Sequence, residues 1–278
     1  MPGANSVTSN QETIHKDLEK VVRKYARTTF LRPIADHTRE AFAEVENFVR
    51  EFYRAARNGD PSQIETIKCM DPPSEDDSAE NIAKQAPRTV ILDSGCGTGE
   101  STIHIARRFP SNPVIGIDKS GMRLTKAGNP AQTAGEDVPR NAFWIRAELL
   151  DFWRLALERV QAGEWTIPYH AVYYPNPWPK QSEATRRFHM HPIFPTLLAL
   201  GDTIELRTNW EIYAREFAEA ARIVLSVNAE NTDNNGTVIT APANAHITCE
   251  AFDPVSPETA FERKYKEARQ TLWRVVIG

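Results

Sequence analysis

The spacing of apolar residues along the chain separates a helical N-terminal part from a mixed α/β part. Between Lys16 and about Ala56 apolar positions recur at helical spacing, and Pro33 interrupts them. From Arg88 onward, short runs rich in β-branched and aromatic residues alternate with helical stretches. The pattern predicts two N-terminal helices, followed by an α/β domain whose parallel sheet is covered by helices.

Seven segments of the α/β part have the composition of buried strands. The predicted strands are 88–93, 113–118, 142–147, 169–174, 203–208, 245–250 and 271–277. Helices are predicted at 100–109, 149–161 and 209–226. The Asn-rich and Asp-rich segment 228–236 favours a turn. We therefore expect a Rossmann-like, seven-stranded and mostly parallel sheet.

Polar segments mark the expected domain boundary. Residues 1–13 are small and polar, which predicts a frayed tail. Met70–Asn81 combines paired prolines with acidic residues, as in a linker or exposed loop. We predict an N-terminal region of tail, helical extension and acidic linker over residues 1–85, and an α/β domain over 86–278.

Composition narrows the classes of protein that the chain can belong to. The chain has 33 Lys and Arg residues and 37 Asp and Glu residues. The resulting net charge of -4 excludes an overall basic nucleic-acid binder. Three cysteines without metal-ligand spacing indicate a reducing compartment and no metal site. Because no signal peptide or long apolar run is present, we expect a cytoplasmic protein without membrane contact, either monomer or homodimer.

The run after the first predicted strand has the residues of a nucleoside-binding turn. Asp93 is followed by Gly95, Gly97 and Gly99, and then by a helix. Glycine accepts positive φ and lets a ligand lie against the backbone, while the helix N-terminus offers free amides. The spacing differs from the G-x-G-x-x-G dinucleotide fingerprint and indicates S-adenosylmethionine. The alternative is a tight strand-to-helix turn without a ligand.

The ends of the next two strands extend this cofactor prediction. Asp118, followed by Lys119, closes the second strand, where a carboxylate can accept hydrogen bonds from both ribose hydroxyls. At the third strand end, Glu148 or the amide of Leu149 is placed to read an adenine edge. Cys96 lies inside the turn, and we interpret it as a small residue beside the ligand, because no histidine base is near in sequence.

The fourth strand ends in the most specific stretch of the chain, HAVYYPNPWPK at residues 170–180. Its prolines make a stiff loop at the carboxyl end of a strand, where open α/β sheets bind ligands. Trp178 there can stack on a flat substrate. The stretch resembles the P-D-P-W-P-K signature of the bacterial tRNA (guanine-N(7)-)-methyltransferase family. LRTNWEIY at 206–213 and TAFERKY at 259–265 are similar to further motifs of that family, in the same order.

The resemblance implies a class I S-adenosylmethionine-dependent methyltransferase with tRNA as its partner. Four positions match family residues that contact the cofactor or lie between cofactor and substrate: Asp93, Asp118, Glu148 and Asn176. Four match residues that hold the target guanosine: Lys180, Asn209, Thr259 and Glu262. On this basis Asn176 is the candidate catalytic residue.

The sequence departs from the family at two of these positions, since Asn176 and Asn209 stand where the family has aspartates, and the basic run after P-W-P-K is thinned. Guanine N7 carries a lone pair and no proton, so alignment can supply most of the acceleration, up to about 7–11 kcal/mol. Asn176 could orient the base or sulfonium by hydrogen bonding. Two alternatives stay open: a paralogue that methylates a small molecule or an amine, because N-P-W loosely resembles N-P-P-Y, and a catalytically idle binding protein.

Three basic segments are candidates for a phosphate-binding face. Residues 20–39 contain six Lys and Arg against Asp36 alone, and 263–269 adds the run RKYKEAR. Arg186 and Arg187 with His189 and His191 form the third. A face built from these would bind phosphates with salt-dependent affinity, whereas a solvated helix surface is the alternative.

Overall fold

The computed structural model describes residues 6–58, 86–126, 138–231 and 245–278. The helices are α1 (Leu18–Tyr25), α2 (Asp36–Asn58), α3 (Glu100–Arg108), α4 (Gly121–Leu124), α5 (Leu149–Gln161), α6 (Phe194–Leu198), α7 (Glu211–Asn231) and α8 (Ala260–Glu267). The strands are β1 (Arg88–Thr89), β2 (Ile91–Ser94), β3 (Val114–Asp118), β4 (Ala142–Arg146), β5 (Trp165–Thr166), β6 (Tyr169–Tyr173), β7 (Thr203–Thr208), β8 (Ile247–Phe252) and β9 (Leu272–Ile277). Short 3-10 helices cover Gln181–Arg186 and Phe188–Met190.

The sequence prediction of a seven-stranded, mostly parallel α/β fold is confirmed. The predicted strands are present with small shifts at their ends, and the predicted helices correspond to α3, α5 and α7. The sequence missed a second, two-stranded parallel sheet of β1 and β5, in which Arg88 pairs with Trp165. Such short strands carry too few residues to show an alternating pattern.

The chain forms two compact units by the density of their internal contacts. One unit is Ile34–Pro168, which we call the 34–168 unit. The other joins Met1–Pro33 to Tyr169–Gly278, and we call it the split unit. The boundary predicted between residues 85 and 86 stays a prediction.

In the 34–168 unit, three parallel strands run in the order β4, β3, β2. Asp93 pairs with Gly116, and Asp118 pairs with Arg146, so the carboxyl ends of β2, β3 and β4 meet at one edge. Every residue of β2 and β3 is buried, as expected for a parallel sheet covered on both faces. Helix α2 packs against α5 and β4 with an apolar stripe that includes Phe42, Val45 and Val49.

In the split unit, the strand order is β6, β7, β9, β8. β6 and β7 are parallel, whereas β9 pairs antiparallel with both β7 and β8. Helix α1 packs against α7 through Leu18 and Val22, which lie one turn apart and are both 2% exposed. The N-terminal helix is therefore part of this unit's core.

Two local expectations were wrong and others fall outside the described residues. Gln11, expected in a frayed tail, is 7% exposed and donates to Glu216 at 2.6 Å, because a buried carboxylate gives this polar segment a partner. Residues 228–231 continue α7 rather than forming a turn. The rest of the predicted turn and the linker at Met70–Asn81 lie outside the described residues. No helix in the described part of the chain is long and apolar enough to cross a membrane.

Candidate functional site

The glycine-rich turn joins β2 to α3 with backbone angles that favour glycine. Gly95, Gly97 and Gly99 have φ of 82°, 60° and 80°. The amides of Gly95 and Cys96 both donate to the carbonyl of Ile117, at 2.7 and 3.1 Å, which fixes the turn over the end of β3. A Cβ placed on Gly95 or Gly97 would have no neighbouring atom within 4 Å. The turn is therefore rigidly held on one side and open on the other.

Asp93 lies at the base of this turn and is 1% exposed. Its Oδ2 accepts hydrogen bonds from Ser101 Oγ at 2.7 Å and from Thr102 Oγ1 at 2.6 Å. Both donors belong to the first turn of α3, where a negative charge is also favourable to the helix dipole. Asp93 thus fixes the start of the helix relative to the strand.

Asp118, at the end of β3, links the second strand to the turn. Its Oδ2 accepts from the Gly97 amide at 3.0 Å and lies 3.5 Å from Arg123 Nη1, while its Oδ1 accepts from the Ser120 amide at 2.7 Å. A carboxylate offers about four acceptor directions, so capacity for a further donor remains. The structure therefore brings two of the predicted cofactor residues, Gly97 and Asp118, into direct contact.

A close-packed layer supports the turn from below. Gly116 of β3 has no room for a side chain: a Cβ there would lie 2.4 Å from Thr102 Oγ1 and 2.8 Å from Trp144 Cδ1. Trp144 Nε1 donates to the carbonyl of Gly99 at 3.3 Å. Burial, with added repulsion from Asp93 and Asp118, raises the pKa of the Cys96 thiol well above its usual value. The protonated thiol agrees with the expectation that Cys96 is not a nucleophile.

The remaining cofactor candidates follow the neighbouring strand ends. The Ala147 amide donates to the Asp118 carbonyl at 3.2 Å, and this places Glu148 just beyond the end of β3. Glu148 is the N-cap residue of α5 and is half-buried, as is Leu149. Lys119 is exposed, and its carbonyl accepts from Arg146 Nε at 3.2 Å.

The residues predicted to orient or hold the methyl acceptor, which we call the acceptor candidates, lie in the split unit. The first of them are in the loop after β6. Tyr174 and Trp178 have φ of 51° and 44°, an uncommon conformation for bulky residues that requires support from the surrounding structure. Asn176 is exposed, and its Oδ1 accepts from the Trp178 amide at 3.3 Å, which closes a local turn. Trp178 is half-buried with Arg186 stacked 4.6 Å from its ring centroid, and Lys180 is exposed.

A buried ion pair holds this loop from within the split unit. Arg187 is fully buried, and its Nε and Nη2 both donate to the Trp178 carbonyl, at 3.2 and 3.0 Å. Its Nη1 donates to Glu216 Oε2 at 2.6 Å, and His189 Nε2 lies 2.8 Å from the same oxygen. The expectation that Arg187 and His189 face phosphates was wrong, because both side chains are buried against Glu216.

The N-terminal segment completes the same cluster. Gln11 accepts from Arg187 Nη2 at 3.0 Å and donates to Glu216 Oε1 at 2.6 Å. The His15 amide also donates to Glu216 Oε1, at 2.7 Å. Ser9 Oγ donates to the Pro179 carbonyl at 2.8 Å, within the loop itself. The segment around Ser9 and Gln11, which was predicted to be a frayed tail, therefore packs against the loop that carries the first acceptor candidates.

The last acceptor candidates lie around α8. Thr259 is the N-cap of α8, and its Oγ1 accepts from the Glu262 amide at 3.0 Å. Glu262 is fully buried, accepts from the Glu258 amide at 2.6 Å and pairs with Arg207 Nη1 at 2.9 Å. T-x-x-E here forms a variant of the helix capping box. Asn209 is half-buried and donates to Gln270 Oε1 at 3.1 Å.

The sequence analysis missed Arg207 and Glu216, which organise these two clusters. Arg207 contacts Glu205 at 2.6 Å and Glu258 at 3.0 Å, and its guanidinium lies 4.0 Å from the Tyr173 ring centroid. Burial alone would lower the pKa of Arg207, but Tyr173 and the carboxylates of Glu205, Glu258 and Glu262 together raise it. The sequence did contain a signal for Arg207, because Glu205 and Arg207 are charged residues at alternate positions of a strand that is otherwise largely apolar.

Comparison with known proteins decides the family. Residues 87–275 match a family model described as "Putative methyltransferase". The chain belongs to this methyltransferase family. The glycine-rich turn of β2 and the loop after β6 both fall inside the matched residues.

Two curated relatives and one solved structure illustrate what this methyltransferase is similar to. A tRNA (guanine-N(7)-)-methyltransferase of Neisseria meningitidis serogroup C is 28% identical over 200 residues, which cover 71% of this chain and 74% of that protein. A protein of the same name from Burkholderia vietnamiensis is 26% identical, covering 70% and 68%. Among solved structures, the 16S rRNA methyltransferase KamB has 17% identity and a TM-score of 0.44, covering 76% of this chain and 95% of that one.

Proposed function

We propose that this methyltransferase uses S-adenosylmethionine to methylate nitrogen 7 of a guanosine in tRNA. The arrangement that carries the proposal is the open glycine turn tied to Asp118 through the Gly97 amide. Relatives that the chain matches over about 70% of their length are named for this reaction. We propose a cytoplasmic location for this activity, as predicted from the sequence.

The residues of the 34–168 unit fit an adenosine-bearing cofactor. The open side of Gly95 and Gly97 leaves space where any side chain would intrude. Asp118 keeps acceptor capacity for ribose hydroxyls. It pairs with Arg146 at the end of β4, and Glu148 and Leu149 follow that strand end at the start of α5. When bound, the cofactor supplies an electrophilic methyl group on a sulfonium. The chain's own contribution is to hold that group in a fixed position.

The exposed amide of Asn176 suits an acceptor that has no proton to lose. When guanine N7 accepts a methyl group, a carbon–nitrogen bond forms from its lone pair while the methyl–sulfur bond of the donor breaks and its electron pair stays on sulfur. No base has to remove a proton. Alignment then matters more than the charge of the side chain. Asn176 is a candidate for orienting the base, with Trp178, Lys180, Asn209 and Thr259 as candidates for holding it. Glu262 is fully buried and paired with Arg207, so we assign it to positioning α8 and not to contact with the base.

The activity test uses the full chain, bulk tRNA and methyl-labelled S-adenosylmethionine. Nuclease digestion of the product should yield labelled 7-methylguanosine as the main labelled nucleoside. Label that appears in another nucleoside, or in a low-mass extract but not in tRNA, would contradict the proposal and favour the alternative acceptors.

The cofactor assignment is tested by calorimetry on Asp118→Ala. Loss of the ribose acceptor and of the bond to Gly97 should weaken S-adenosylmethionine binding by about 10-fold or more, since each 1.4 kcal/mol is a factor of 10. Asp202→Ala is the matched control, because Asp202 is exposed in the split unit. Equal affinity in both variants would remove Asp118 from the cofactor site.

A further inference from the structure

Three aromatic side chains of the split unit form a cluster next to the acceptor candidates. Tyr174, Phe261 and Tyr265 make up this aromatic cluster, with ring centroids 5.7 to 6.1 Å apart. The rings of Phe261 and Tyr265 are within 21° of parallel. Tyr174 precedes the loop of Asn176, and Phe261 lies between Thr259 and Glu262 on α8.

Phe261 differs from the other exposed apolar side chains of the described residues. It is 49% exposed and is the one aromatic residue among them. The others are Ile14, Leu31, Met122 and Val255. A single exposed aliphatic residue needs no explanation, but an exposed ring held by two further rings presents a flat and ordered apolar face.

The support beneath Phe261 is rigid. Thr259 caps α8, and Glu262, one residue after Phe261, is fully buried and paired with Arg207. The Tyr174 hydroxyl donates to Glu262 Oε1 at 3.2 Å, so the ring behind Phe261 is fixed by the same ion pair. A face that is already ordered loses little conformational freedom when a ligand stacks on it.

Exposed cationic side chains follow Phe261 along the chain, although the whole protein has a net charge of -4. Lys264 and Arg269 are exposed on and just after α8. Arg269 and Lys266 also line an open cavity of about 480 Å³ beside the ends of β8 and α8. Lys266 is anchored by the Pro254 carbonyl at 2.9 Å and by Asp253 at 3.2 Å. Aromatic rings interleaved with cations are typical of surfaces that bind single-stranded nucleic acid.

We propose that the exposed face of Phe261 is a stacking platform for an unpaired nucleobase of the RNA acceptor. Tyr174 and Tyr265 back the platform, and Lys264 and Arg269 contact the flanking phosphates. The base on Phe261 is a neighbour of the methylated guanosine, not that guanosine. The inference rests on the proposed function only in taking RNA as the acceptor.

The test measures binding of fluorescein-labelled bulk tRNA by fluorescence anisotropy, without cofactor. Phe261→Ala should weaken binding by about 10-fold, within the range measured for loss of one stacked base. Phe261→Leu keeps an apolar side chain but loses the flat ring, and it should weaken binding similarly. Phe261→Trp should stay within about twofold of the wild type, because the larger ring also stacks.

Val255→Ala is the matched control, since Val255 is an apolar residue of the same unit that is 100% exposed. Its affinity for tRNA should equal that of the wild type. All variants should bind S-adenosylmethionine equally, which shows that the fold is intact. Wild-type affinity in Phe261→Ala, an equal loss in Val255→Ala, or no tRNA binding by the wild type would each overturn the platform.

The platform and the proposed function fail in different ways. If tRNA binds in a Phe261-dependent manner but no 7-methylguanosine forms, the proposed reaction is wrong and the platform stands. If 7-methylguanosine forms while Phe261→Ala and Phe261→Leu bind tRNA like the wild type, the reaction stands and the platform is wrong.

Discussion

At the scale of single residues, two glycines of the 34–168 unit are required for different reasons. Gly97 has φ of 60°, and a Cβ there would project into open space. Gly116 lies in a strand, where a Cβ would collide with Thr102 and Trp144. The first glycine leaves room for a ligand, whereas the second leaves room for the protein's own packing.

Alanine at these two positions should therefore differ in its effects on stability and on cofactor affinity. Gly97→Ala should cost about 1–2 kcal/mol of stability for the left-handed conformation and reduce S-adenosylmethionine affinity by about 10-fold or more. Gly116→Ala should cost about 1–3 kcal/mol through overpacking, with the smaller loss of affinity. Urea unfolding and calorimetry give the two quantities. A Gly97→Ala variant that binds the cofactor normally would contradict a ligand site on the open side of the turn.

At the scale of elements, α7 holds the loop after β6 through a buried charge pair. Burial alone would raise the pKa of Glu216, but hydrogen bonds from His189 and Arg187, together with the Arg187 charge, lower it to about 2. Arg187 also donates a hydrogen bond to the Trp178 carbonyl, which fixes the loop. It donates another to Gln11, which connects the N-terminal segment to the same pair. A helix, a loop and an N-terminal segment distant in sequence are thereby joined through one carboxylate.

Neutralising this carboxylate should be costly. Glu216→Gln leaves Arg187 without its counter-ion in the interior, and we expect a loss of about 3–5 kcal/mol in the free energy of unfolding. Glu219→Gln, on the same helix, removes the partner of Arg222 in a surface ion pair. The side chains of Glu219 and Arg222 are 43% and 51% exposed, so this variant should change stability by less than about 0.5 kcal/mol. Urea unfolding at neutral pH compares them. Equal stabilities would show that the buried pair does not stabilise the fold.

At the scale of the whole molecule, buried ionisable groups determine how stability depends on pH. Burial lowers the pKa of His170 from 6.5 to about 3, outweighing a hydrogen bond with the Leu200 backbone. His189 is lowered in the same direction, chiefly by burial. The unfolded chain therefore binds more protons than the folded chain below pH 6.5, and acid favours unfolding.

The contribution of His170 is fully present above about pH 6.5 and is lost progressively as the pH falls toward 3. Between pH 6.5 and 5 this loss amounts to about 2 kcal/mol. His170→Asn should flatten the dependence of unfolding free energy on pH by that amount, whereas His37→Asn, at an exposed position, should not. Urea titrations at several pH values provide the measurement. A wild-type slope retained in His170→Asn would exclude this histidine as the cause.

The sequence predicted the elements well because their patterns are local. Buried apolar runs showed the strands, helical spacing showed α3 and α5, and the glycine spacing located the turn. It also predicted that the turn and Asp118 lie at strand ends on one edge of the sheet. The hydrogen bond between the Gly97 amide and Asp118 was not predicted. The roles proposed for Asn176, Lys180 and Asn209 stay predictions, because they depend on the ligand rather than on the fold.

The amino-acid order alone determined the α/β fold and the position of the open turn, because hydrophobic periodicity and glycine conformation act over a few residues. The methyltransferase resemblance came from short motifs, above all the loop after β6. Only the tertiary structure decided that Gln11, Arg187 and Glu216 share one buried cluster. Those contacts join residues far apart in sequence. Their physical origin is the cost of burying a charge without a partner, which local pattern does not encode.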